Sequence, residues 1–167
     1  MSLADILNAR EVRWLKKRAL ASEKKGNVVS LTLRMPASVR LTGEAKAFLM
    51  HAALKAEGVF SEAGYHPKRE CTLDGADGPC ILWRLMGETE EIKLACIAFE
   101  EESPEGELID LDVMGEDGEE ISRTAFQNAP RKCIVCRREN ARECIYEKRH
   151  SNEETERIIK EKLGKLL

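Results

Sequence analysis

The run Gly106-Glu107-Leu108-Ile109-Asp110-Leu111-Asp112-Val113 constrains the fold more than any other stretch. Apolar residues alternate there with carboxylates, the mark of a strand with one buried and one polar face. Side chains two apart in an extended chain share a face. Asp110 and Asp112 therefore lie side by side, with Ile109, Leu111 and Val113 directed into a core. Two ionised aspartates this close repel unless a cation or basic groups compensate. Hard oxygen ligands suit Mg²⁺, which takes one or two protein carboxylates and shares its remaining shell with water and phosphates. Two readings are open: metal-assisted phosphoryl or nucleotidyl chemistry, or two carboxylates on the wet face of an edge strand.

The neighbourhood favours the first. A second apolar run, Glu91 to Phe99, reads as a strand and ends in Glu100-Glu101-Glu102. Ser103-Pro104-Glu105-Gly106 then turns the chain into the aspartate strand, which brings Glu100 within reach of the carboxylate pair. Gly87-Glu88-Thr89 reads as a hairpin turn from a preceding strand, Cys80 to Met86, and Glu116-Asp117-Gly118-Glu119 as another, leading to a short strand at 120–123.

Upstream, residues 3–20 show helical spacing, with Leu3, Ile6, Leu7, Trp14 and Leu15 as the apolar stripe and Arg10, Arg13, Lys16, Lys17 and Arg18 on a basic side. Val28 to Met35 is a strand-type run. Thr42 is a candidate N-cap for a helix running to about Ala56 and stopped by Gly58. Residues 59–72 read as extended or loop. Ser151 or Asn152 opens a last helix through Ile158, Ile159, Leu163 and Leu166. This order predicts an α+β fold, a mixed β-sheet with helices mainly on one face. Residues 1–123 form its core and 124–167 a Cys/His-rich segment with a C-terminal helix, together a single domain of 167 residues.

Six cysteines and no secretory leader point to a reducing, cytoplasmic setting. A net charge of −3 argues against a nucleic-acid binder, and no apolar run reaches membrane-spanning length. Cys96, in an apolar run, reads as a small core residue. Cys133-x-x-Cys136, Cys144 and His150 supply three thiolates and an imidazole, a donor set for structural zinc. A redox dithiol and ordinary reduced loop cysteines are the other readings. His51 reads as packing or capping, and Trp14 and Trp83 as core.

Taken in order, several islands resemble one family. Gly106-x-Leu108-x-Asp110-x-Asp112-Val113 is similar to the Gly-(Arg or Ala)-x-x-Asp-x-Asp-Val pattern of the apo-citrate lyase phosphoribosyl-dephospho-CoA transferases, also called holo-citrate-lyase synthases. Arg10-Glu11-x-Arg13, Lys93-Leu94-Ala95, Ile121-Ser122-Arg123, Pro130-Arg131-x-Cys133-x-x-Cys136, Cys144 and His150 extend the match from about residue 6 to 150. The departure is Glu107, where the family has Arg or Ala. The resemblance implies a nucleotidyltransferase-like enzyme with Mg²⁺ on Asp110, Asp112 and Glu100. Its substrate would be triphosphoribosyl-dephospho-CoA, its acceptor a serine of the citrate lyase acyl carrier protein (gamma chain). Lys93, Arg123 and Arg131, then Arg10 and Arg13, are the expected phosphate partners; for Arg10 and Arg13 an intrahelical ion-pair cluster with Glu11 is the other reading. A zinc-knuckle interaction module, or a nucleotidyltransferase with another acceptor, are the alternatives.

Overall fold

The structure is a computed structural model describing residues 2–127, 129–138 and 140–167. Ser2 opens helix α1 (Leu3–Ser22) through a reciprocal capping box with Asp5. Strand β1 (Asn27–Leu33) follows, then a single helical turn, α2 (Ala37–Arg40). Thr42 caps α3 (Gly43–Glu62) by accepting from the Ala45 N–H. Gly58 does not stop this helix; no side chain or backbone presses on it, and the helix passes through. The stretch expected as extended or loop begins as the last turn of α3 and then runs into strand β2 (Lys68–Gly75), paired with β3 (Gly78–Leu85).

Residues 91–99 are not a strand. They belong to α4 (Thr89–Glu102), whose Ile92, Cys96 and Phe99 are spaced for one helical face and are buried. A short apolar run gives no alternation that separates a strand from a buried helix. Gly87-Glu88-Thr89 accordingly leads into a helix rather than closing a hairpin. A 3-10 turn (Pro104–Glu107) delivers β4 (Ile109–Met114), which pairs with the two-residue β5 (Glu120–Ile121). Helices α5 (Ala141–Tyr146) and α6 (Asn152–Leu166) complete the chain, with Ser151 capping α6.

The sheet order is β2-β3-β1-β4-β5, antiparallel throughout, which corrects the expected mixed sheet. The reason lies in the crossovers. Helix α3 joins β1 to β2 and α4 joins β3 to β4, each a parallel pair, but a third, antiparallel strand is inserted between the members of each pair. Among the described residues no parallel ladder forms.

One sheet face carries Val29, Leu31, Leu33, Ile81, Trp83, Leu85, Ile109, Leu111 and Val113 against residues of α3, α4 and α6. The other face is covered by α1 and is mostly polar. Val28, Cys80, Leu82 and Met114 offer an apolar patch there, with Cys71 and Leu73 beside it, and Leu20 and Ala21 fill it. That is why the expected core stripe of α1 is not core: Leu3, Leu7, Trp14 and Leu15 are exposed, and Arg18 lies over the Trp14 ring.

At the middle of β4 the ladder has no strand beyond it, because β5 pairs only with Val113 and Met114. Side chains of α4 take its place: the Leu111 N–H donates to Glu100 Oε1 at 2.6 Å, and Lys93 Nζ donates to the Leu111 carbonyl at 2.8 Å. Both buried backbone groups are thereby satisfied. The close approach of the 3-10 turn to α4 depends on Gly106, where a Cβ would stand 2.1 Å from the Glu100 carbonyl oxygen. Gly106→Ala is expected to destabilise the fold by roughly 3 kcal/mol, at the upper end of over-packing costs, because backbone cannot yield as a side chain can. A chemical denaturation midpoint unchanged from the parent would contradict this close packing.

Candidate active site and Cys/His cluster

Because β4 alternates, Asp110 and Asp112 project together from the polar face, opposite Thr32 and Ser30 of β1. They line a cavity of about 550 Å³ between the sheet, α4 and the segment after β5. Its wall carries five basic residues, Arg34, Lys93, Arg123, Arg131 and Arg142, against four acidic ones, Glu100, Asp110, Asp112 and Glu120. An adjoining cavity of about 380 Å³ shares Arg34, Glu100, Arg123 and Arg131.

Burial, reinforced by the charge on Asp110, pushes the Asp112 carboxyl up to about 6. The pair is thus incompletely compensated by the protein. Across the ladder, the Ser30 hydroxyl is buried with no hydrogen-bond partner, an orphaned oxygen beside the carboxylates. Two carboxylates and an unpartnered hydroxyl are a hard-oxygen donor set, and they fit Mg²⁺.

Glu100 has a different setting from the aspartates. Its Oε1 accepts from Leu111 N–H and lies 3.0 Å from Arg131 NH1, while its Oε2 accepts from Arg123 NH2 at 2.7 Å. Both oxygens are engaged, so Glu100 organises two guanidinium groups. Arg131 NH1 also donates to the Ile109 carbonyl at 2.8 Å and to Asp110 Oδ1 at 3.2 Å, and its NH2 donates to the Gly106 carbonyl. The Asp-x-Asp motif and the Pro-Arg island are therefore one bonded unit.

Lys93 is buried, on a helix rather than a strand, and opens onto the same cavity. Arg10 and Arg13 do not line it: Arg10 is exposed and Arg13 pairs with Asp77 at the β2–β3 turn. Two residues of this region escaped sequence reasoning. Arg34 donates to the carbonyls of Glu107 and Lys132, and burial lowers it to about 10. Lys17, on the buried side of α1, pairs with Glu120. The signal for Arg34 was present: Ser30, Thr32 and Arg34 continue the period-two polar face of β1.

Glu107 is neutralised. It pairs with Arg137 and with Lys162 Nζ at 2.6 Å, which ties the turn before β4 to the cysteine knuckle and to α6. His51 bonds Glu105, and Trp83 is fully buried in the core, as expected; Cys96 likewise.

The ligand atoms of Cys133, Cys136, Cys144 and His150 all lie within 4.8 Å of one another. The Cys136 and Cys144 sulfurs are 3.6 Å apart, far beyond a disulfide bond. Two thiolates on a tetrahedral zinc with bonds of about 2.3 Å would be about 3.8 Å apart. His150 Nε2 is buried without a hydrogen-bond partner, while Nδ1 faces Glu154 at 3.6 Å. The Arg138 backbone N–H outweighs desolvation and, with His150, holds the Cys136 thiol down near 6. This cluster can hold a metal ion, and its donors suit zinc.

Two kinds of comparison bear on the whole arrangement. A family model described as apo-citrate lyase phosphoribosyl-dephospho-CoA transferase matches residues 1–166. The chain belongs to this transferase family. Similar proteins carrying the same name include one from Citrobacter koseri, 26% identical over 151 residues, covering 90% of this chain and 82% of the relative. Another, from Shigella flexneri serotype 5b, is 25% identical over 150 residues, covering 90% and 81%. With the family shown, the reading as an interaction module is not favoured. Among the described residues, no helix is long and apolar enough to cross a membrane.

Proposed function

We propose that this chain transfers the 2′-(5″-phosphoribosyl)-3′-dephospho-CoA group from its triphosphate precursor to a serine of the citrate lyase acyl carrier (gamma) chain. Pyrophosphate leaves. The chemistry is of nucleotidyltransferase type, and the setting is cytoplasmic. The observation that carries this reading is the cavity itself: an incompletely compensated aspartate pair facing a basic wall, in a chain that matches the family along its length. Mg²⁺ held by Asp110 and Asp112 would neutralise charge on the transferring and leaving phosphate oxygens. With the aspartate charge so offset, the wall is left strongly positive, as a triphosphate requires.

Arg34, Lys93 and Arg123 face the phosphates, Arg by its planar fork and Lys as a point charge. Arg131 serves at the junction, steering Asp110 while presenting positive charge to the cavity. Arg10 and Arg13 remain outside this set. Asp110, the more open of the pair with its side chain 44% exposed, is placed to accept the serine proton. Glu100 holds Arg123 and Arg131 in register. The Cys/His quartet takes Zn²⁺ as a structural ion, tying down the tail rather than acting on substrate.

The test is the intact mass of the carrier chain after incubation with this protein, the triphosphate precursor and Mg²⁺. A gain equal to the prosthetic group, abolished by omitting Mg²⁺, is the expected result. An unmodified carrier, with another transferase of this family modifying it in parallel, would overturn the reading.

A further inference from the structure

We propose that the ion of the Cys133–Cys136–Cys144–His150 quartet is a positioning element of the transfer site: by fixing residues 131–150 it holds Arg131 against Asp110 and forms the α5 wall of the cavity. The proposal rests on the zinc and transferase readings above and assigns the quartet a role in substrate binding.

The segment is tied to the main body by Ile134, which packs against the main core, and by the polar contacts of Arg131 and Arg137. Its apolar cluster is separate from the main core and consists of Cys133, Ala141 and Cys144, with Val135 and Cys136 against it. Ile145 and Tyr146 of the six-residue α5 are 76% and 89% exposed. So small a cluster does not offset the conformational entropy of ordering the whole segment. Metal ligation does, because folding and binding free energy are then shared.

The links from quartet to cavity are short. Cys133 N–H donates to the Arg138 carbonyl at 3.1 Å and Arg137 N–H to the Cys133 carbonyl at 3.0 Å, which forms the knuckle. Ala141 N–H donates to the Arg131 carbonyl at 2.8 Å, so the helix that carries Cys144 is bonded to the backbone of the arginine that steers Asp110. Arg34 NH2 bonds the carbonyl of Lys132, next to Cys133. Ala141 and Ile145 line the cavity from one side and flank Cys144 from the other.

The experiment uses the full-length chain, first with Co²⁺ in place of the native ion. One cobalt per chain is expected, with thiolate-to-metal absorption and the intense visible bands of a tetrahedral site, displaced by Zn²⁺. Metal is then removed by chelation. Tripolyphosphate affinity, by calorimetry, is expected to fall at least tenfold, and amide exchange at Ala141 and Cys133 to rise at least a hundredfold, with β1 and β3 amides unchanged. Zn²⁺ restores both. Arg131→Ala is expected to keep one metal per chain and lose the same affinity. Absence of stoichiometric metal, or a metal-free protein that keeps both its Ala141 protection and its tripolyphosphate affinity, would overturn the proposal. Failure of the transferase reading looks different: the zinc-loaded chain would show this coupling yet leave the carrier unmodified.

Discussion

Asp112→Asn is expected to abolish transfer and, in the same protein, to raise resistance to unfolding. The catalytic side follows from the donor set. On the proposed metal-assisted reading, removing one of the two carboxylates would take away charge stabilisation that exists only along the reaction, and roughly a 10³-fold loss is the scale for such a deletion. The stability side follows from the raised Asp112 carboxyl, near 6 instead of 3.8. Between about pH 4 and 6 the native protein keeps this proton while the unfolded chain releases it. Stability from this group therefore falls as pH rises through that window, and the full cost is present at pH 7. A shift of this size corresponds to about 3 kcal/mol in the metal-free protein. The asparagine variant carries no such cost, so its metal-free melting temperature should exceed that of the parent at pH 7 and converge with it near pH 4. A variant that is both inactive and less stable at pH 7 would show that Asp112 supports the fold, against the assignment made here.

The second large effect is expected at Glu100, with the opposite sign. Its side chain is 3% exposed, and Arg123 and Arg131 beside it are 13% and 17% exposed. Glu100→Ala leaves the Leu111 N–H without an acceptor and two guanidinium groups without their shared counter-charge. Truncating one member of a buried, hydrogen-bonded charge cluster costs about 3–5 kcal/mol. Urea denaturation measures this directly. Glu100→Gln, which keeps an acceptor for Leu111 but loses the charge, should fall between. Transfer should fail in both variants because Arg123 and Arg131 lose their register, and added Mg²⁺ should not rescue it. A loss below about 1 kcal/mol in the alanine variant would mean that the cluster is solvated in solution and that α4 does not replace a strand at the edge of β4.

Much of this was legible in the sequence where the signal is local. The alternation around Asp110 and Asp112 placed both carboxylates on one face, because a strand's side-chain period is fixed by backbone geometry. Thr42 and Ser151 announced the helices they cap, since a side-chain oxygen satisfies orphan N–H groups at a fixed offset. Cys133, Cys136, Cys144 and His150 declared a donor set by type and spacing, and their ligand atoms do meet. The errors arose where the deciding partner is distant. The run around Cys96 is helical because its spaced apolar residues meet a sheet built from strands on both sides of it in sequence. The apolar stripe of α1 faces outward because the sheet surface beneath it is polar, which nothing within residues 3–20 reveals.

Residue types and local periodicity fixed the chemistry available: a carboxylate pair on a strand, a reserve of arginines and a thiolate–imidazole quartet. Each depends only on residue type and on the short-range periodicity of the backbone. Tertiary structure alone decided which of these act together. It drew Arg131 across to Asp110, set Glu100 and Lys93 at the unpaired edge of β4, and left Arg13 at a distant turn with Asp77. Pairings between residues far apart in the chain are fixed by strand order and by the packing of α4 against β4. Those are properties of the assembled sheet, not of any segment read alone.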